Sequence, residues 1–74
     1  MMQTIDVTLE LARQLETRIR VRLGGQIRDI RVVCQEDGLV LHGRSRTYYA
    51  KQLAQHVVME ITNIPISANE IEVY

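Results

Sequence analysis

The stretch Ile30-Arg31-Val32-Val33-Cys34-Gln35-Glu36-Asp37-Gly38-Leu39-Val40-Leu41-His42-Gly43 decides the fold of this chain. Two β-rich runs flank an Asp-Gly pair. Such a pair marks a tight hairpin, because a primed two-residue turn needs positive φ at its central positions and matches the twist of the flanking strands. With Asp37 and Gly38 as the turn, pairing outward sets Glu36 opposite Leu39, Cys34 opposite Leu41 and Val32 opposite Gly43. Alternation then puts Ile30, Val32, Cys34, Leu39 and Leu41 on one face, where Gly43 leaves room for a helix. Arg31, Val33, Gln35, Val40, His42 and Arg44 fall on the other, which mixes valine with charge.

Upstream, a step of about 100° per residue gathers Leu11, Ala12, Leu15, Ile19 and Leu23 into one arc, so the spacing predicts an amphipathic helix from Leu9 to Leu23. Thr8 or Asp6 is the candidate cap, Glu16 and Arg20 lie one turn apart, and Gly24-Gly25 stops the helix. Arg22 sits at the edge of the arc, where its stem covers apolar surface while the charge reaches water. Downstream, Thr47 caps a second helix from about Tyr48 to Glu60 with Ala50, Leu53, Ala54, Val57 and Ile61 in its arc. Tyr48, Gln52, Gln55 and Met59 line its reverse side. Asn63-Ile64-Pro65 ends that pattern. Asn69 to Tyr74 alternates as a last strand, with Ile71 and Val73 inward and Glu70 and Glu72 outward.

The expected fold class is α+β, a two-layer α-β-β-α-β sandwich in which two helices cover one face of a three-stranded sheet. The last strand can follow a crossover to a parallel place beside the second strand, or pair beside the first. No linker, repeat or low-complexity tract divides the chain, so residues 1–74 read as one domain.

At 74 residues only about 60% of the unfolded surface can be buried, which leaves a thin core and makes self-association useful. Formal net charge is zero, so the global attraction on which nucleic-acid binders draw is absent. The single cysteine, Cys34, excludes an internal disulfide and suits a reducing compartment. Met1-Met2-Gln3-Thr4-Ile5-Asp6 has neither the basic segment nor the apolar run of a signal peptide, and no stretch approaches a membrane span.

From Leu15 to Val73 the chain resembles the BON domain, a bacterial module of osmotically induced periplasmic proteins, outer-membrane-associated lipoproteins and secretin-associated proteins. The resemblance rests on Leu15-Glu-Thr-Arg-Ile-Arg-Val-Arg-Leu23, on the hairpin from Ile30 to Gly43, on Tyr49-Ala-Lys-Gln-Leu-Ala54, and on Ile64 followed by Asn69-Glu-Ile-Glu-Val73. The chain departs from the family at Asn63-Ile64, where Gly-Val is usual. Its hairpin return is also one residue shorter than the common form, which bears on the register from Leu39 to Leu41. The resemblance implies a non-catalytic adaptor or envelope-associated module, without a cofactor, for which anionic phospholipid is one partner. No export signal or further domain is visible here, so a cytoplasmic, stand-alone member is expected.

Catalytic and metal chemistry finds little support in the residues. Zinc needs about four Cys, His or carboxylate ligands, whereas Cys34 and His42 fall on opposite hairpin faces and His56 has no histidine one turn away. Cys34, read inward beside Val32 and Leu41, is a small core residue rather than a nucleophile. Gly24-Gly25 lacks the Lys-Ser/Thr of a phosphate loop. No catalytic residue, metal, cofactor or small-molecule substrate is therefore expected.

The candidate interaction surface comprises Arg31, Val33, Val40, His42, Arg44 and Arg46 with Tyr48, Gln52, Gln55 and Met59; Asp37, Gly38 and Gly43 are read as turn and packing residues. The expected partner is a second copy of the chain, as a homodimer or higher oligomer, or another protein. The alternative is nucleic-acid phosphate held by Arg31, His42, Arg44, Arg46 and Lys51 with Tyr48 or Tyr49.

Overall fold

The computed structural model describes the backbone of residues 3–74 and side chains from Leu9 onward. Met1 and Met2, at the head of the N-terminal stretch read above, lie outside the described residues, as do the side chains of Asp6 and Thr8. The elements run α1 (Gln3–Leu23), β1 (Ile27–Gln35), β2 (Gly38–Ser45), α2 (Tyr48–Ile61) and β3 (Ile66–Val73). This is the expected α+β order, with two helices packed on a three-stranded mixed sheet. β3 lies beside β2 and parallel to it, so β2 is the central strand and α2 makes the crossover.

α1 begins earlier than the apolar arc indicates, so Asp6 and Thr8 fall inside the helix rather than at its cap. Ala12, Leu15, Ile19 and Leu23 are buried as read, and Leu11 packs against them. Gly24 ends α1 at φ +56°, a left-handed geometry that an L side chain adopts at a cost. Thr47 caps α2 through Oγ1, which accepts the Ala50 N–H at 3.1 Å. The buried stripe of α2 holds Ala50, Ala54, Val57 and Val58, while Ile61 lies exposed. The α2 stripe is thus rotated toward Val58 from the arc read in sequence, because the helix sits in the angle between α1 and β3.

The hairpin exists, but its turn differs from the expected one. Gln35 pairs with Gly38, Cys34 with Leu39, Val33 with Val40 and Val32 with Leu41, so Glu36 and Asp37 occupy the turn and Gly38 belongs to β2. Each pairing is displaced by two residues from the expectation. A displacement of two keeps every side chain on its face, and the two faces are those read from the alternation. Gly38 adopts φ +141°, and a Cβ there would collide with the Pro65 carbonyl oxygen. That oxygen accepts the Leu39 N–H at 2.9 Å, so the segment before β3 passes directly over Gly38.

Asp29, at φ +56°, forms a bulge with Ile30 opposite Gly43, between the Arg28–Arg44 and Arg31–His42 pairs. The bulge resets the alternation, so that Ile27 and Ile30 both face the core three positions apart. It also corrects the reading of Gly43. A Cβ at Gly43 would press on the Arg28 carbonyl at 3.1 Å and the Ile27 Cγ2 at 3.2 Å, so the bulged strand, not a helix, fills that space.

One apolar cluster joins α1 (Ala12, Leu15, Ile19, Leu23), the inner sheet face (Ile30, Val32, Leu39, Leu41, Ile71) and α2 (Ala54, Val57, Val58). Cys34 packs partly buried against it, on the inward side as read. Ile71 is buried, but Val73 at the strand end is exposed. The one buried polar side chain among the described residues, Ser45, donates to the Thr47 carbonyl at 2.8 Å. Across the helices, Arg22 reaches Glu60 at 3.2 Å, which places its charge outward as expected.

Candidate interaction surface

Because both helices pack on one side, the other sheet face stays uncovered. Strand pairing arranges its side chains in three rows. Val33, Val40 and Ala68 form the first, Arg31, His42 and Glu70 the second, and Arg28, Arg44 and Glu72 the third. The first row is apolar throughout. Val40 is only 6% exposed although no helix covers it, because Val33 and Ala68 flank it on both sides. In the other rows the charge changes sign across the sheet, with arginine on β1 and glutamate on β3.

Between these borders stands His42, whose Nδ1 lies 3.9 Å from the Glu70 carboxylate. Arg44 stacks on Tyr74, its guanidinium carbon 4.9 Å from the ring centroid. The Tyr74 N–H donates to the Ser45 carbonyl at 2.9 Å, which holds the ring at the end of the face. Tyr74, Arg28 and Arg46 line an open depression with Gly25, Gln26 and Thr47.

The ten residues of the candidate surface do not form one patch. Arg31, Val33, Val40, His42 and Arg44 share the uncovered face. Tyr48, Gln52, Gln55 and Met59 lie on α2, in the opposite layer, and Arg46 lies between the two in the β2–α2 turn. Tyr48 and Met59 are exposed as read, with the Gln52 amide donating to the Tyr48 hydroxyl at 2.7 Å. Gln55 departs from the reading: its Oε1 accepts from the Asn69 amide at 3.1 Å, which ties that side of α2 to β3. Lys51 is half-buried on α2, in the layer opposite the uncovered face, so it does not join Arg31 and His42 in a basic surface.

Three members of the uncovered face were missing from the sequence reading of it: Arg28, Ala68 and Tyr74. The outward parity of Glu70 and Glu72 extends to Ala68 and Tyr74 and could have found them. Arg28 is hidden from that rule by the bulge at Asp29.

At both borders of the sheet a side chain occupies an outward backbone donor. Glu16 Oε2 accepts the Val32 N–H of β1 at 2.9 Å, and Asn69 Oδ1 accepts the Ile71 N–H of β3 at 3.2 Å. Such groups blunt an edge against pairing with a foreign strand. Among the described residues, no three His, Cys, Asp or Glu side chains are placed to hold a metal ion, and no helix is long and apolar enough to cross a membrane. In comparison with known proteins, no family model matches the chain, and neither a curated protein nor a solved structure does.

Proposed function

We propose that the protein is a non-catalytic interaction module, of the BON type that its sequence resembles, and that it binds a protein partner through the uncovered sheet face. The observation that carries this reading is the combination of an apolar row, Val33, Val40 and Ala68, with borders of opposite charge. A protein surface can match both signs at once. An anionic phospholipid surface would be attracted by Arg28, Arg31 and Arg44 but repelled along the β3 border by Glu70 and Glu72, which weighs against lipid as the main partner of this face. The blunted edges favour face contact over strand addition. A reducing setting such as the cytoplasm suits the lone cysteine.

A second reading, contact with nucleic-acid phosphate, draws on the depression lined by Arg28, Arg46 and Tyr74, with Arg44 stacked on the ring. Affinity capture from cell extract tests the first reading, using wild type, Val33→Asp and Met59→Asp as baits after circular dichroism has shown each to be folded. A protein retained by wild type and Met59→Asp but lost with Val33→Asp supports it. Binding to anionic vesicles, or salt-sensitive binding to oligonucleotides, with no protein retained, contradicts it.

A further inference from the structure

We infer that one occupant of the uncovered face is a second copy of the chain, related by a twofold axis that runs parallel to the strands. This deepens the reading of the protein as an interaction module and rests on it. The order β1-β2-β3 and the three rows of side chains together define how two such faces can meet.

Two sheets packed face to face can be related by a twofold axis along the strands or across them. An axis along the strands exchanges the borders, so that β1 of each copy lies over β3 of the other, and every row lies over its own counterpart. An axis across the strands keeps β1 over β1 and reverses the order of the rows. The first arrangement sets the Val33-Val40-Ala68 row against itself, with Arg31 facing the partner's Glu70 and Arg28 facing the partner's Glu72. The second sets arginine over arginine and glutamate over glutamate, and it buries the apolar row only if the two sheets overlap at one end. Like charges brought together in an interface act against the wrong geometry. The charge pattern therefore selects the axis along the strands, and the isologous contact closes at two copies.

The column on the axis is β2, with Val40 over the partner's Val40 toward one end and His42 over the partner's His42 in the middle row. Since Val40 is nearly buried already, Val33 over the partner's Ala68 supplies most of the apolar contact. Arg44 faces its own copy near the axis, at a cost lessened by its stacking on Tyr74 at the end of β3. The size of the face sets the strength. Three strands about 4.8 Å apart and about eight residues long at about 3.3 Å each present roughly 380 Å² in projection, below the roughly 800 Å² per partner of a standard stable interface. Association is then reversible and dependent on concentration. Its border pairs are exposed, so salt weakens it.

Arg31 and Glu70 lie on opposite borders of one sheet, separated by His42 on the central strand, so a charge exchange between them reads contacts between copies. Sedimentation velocity over a concentration series is the test, applied to wild type, Arg31→Glu, Glu70→Arg and an equimolar mixture of the two variants. Both residues are exposed, and circular dichroism checks that each variant keeps the fold. Wild type is expected to dimerise, and each variant alone to do so roughly tenfold more weakly or worse. The mixture is expected to recover wild-type affinity, because the carboxylate introduced in one variant then meets the guanidinium introduced in the other. Dimers indifferent to both changes, or a mixture no better than its components, overturn the geometry. Monomers at every concentration overturn the second copy as occupant; the interaction-module reading is judged separately by protein capture that is lost with Val33→Asp.

Discussion

Glu16 on α1 accepts the backbone N–H of Val32 at 2.9 Å, so a helix carboxylate is bound to the outer edge of the sheet. The same side chain lies 3.7 Å from Arg20, one turn on. Two contacts of one half-buried carboxylate thus fasten α1 to β1 beyond their apolar packing. Glu16→Ala is expected to cost about 1–3 kcal/mol, the range for losing a charged hydrogen-bond partner. Glu16→Gln, which keeps an acceptor, is expected to cost less. Urea denaturation measures both, and equal losses would assign the effect to packing rather than to the hydrogen bond.

Gly38 stands where the Pro65 carbonyl crosses the start of β2. Gly38→Ala is expected to destabilise by about 2 kcal/mol or more, since it combines backbone strain with a clash against main chain that has little freedom to retreat. Asp37→Ala, at an exposed turn position, is expected to change stability by under about 1 kcal/mol. Thermal unfolding of the two variants separates a glycine needed for the Pro65 crossing from one needed only for the turn.

This contrast shows what the sequence makes legible. Asp37-Gly38 marks a hairpin correctly, yet the residue that requires glycine is set by Pro65, which is remote in sequence and invisible to a turn rule. The side-chain faces were legible despite the wrong turn because a slip of two residues preserves parity. At Asp29 parity itself fails, so Ile27 and Arg28 were not read as part of β1. The two glutamates of β3 and the two arginines of β1 were each visible in the sequence. Their opposition across a sheet was not, because it depends on a strand order that local patterns left open.

Asn69 gathers three hydrogen bonds: its amide donates to the Lys51 carbonyl and to Gln55 Oε1, both at 3.1 Å, and its Oδ1 accepts the Ile71 N–H at 3.2 Å. Asn69→Ala is expected to cost about 1–3 kcal/mol. Asn69→Asp retains the acceptor for Ile71 but presents oxygen to two oxygens, and it is expected to cost at least as much. Should Asn69→Asp prove as stable as wild type by urea denaturation, the two donor contacts to α2 carry no weight.

Val33 and Val40 meet across the hairpin on the uncovered face. Val33→Thr, close in shape but polar, is expected to leave folding within about 1 kcal/mol of wild type while weakening self-association. Unfolding and sedimentation on the same samples check the two parts, and unchanged association would remove the apolar row from the contact.

That two copies of the chain meet through the uncovered sheet face can be read residue by residue from backbone amide NMR spectra recorded from dilute to concentrated protein. Shifts that depend on concentration are expected at Arg31, Val33, Val40, His42, Ala68 and Glu70, with Tyr48, Gln52 and Met59 unchanged. Shifts confined to the α2 residues, or spectra that stay the same at every concentration, would contradict it.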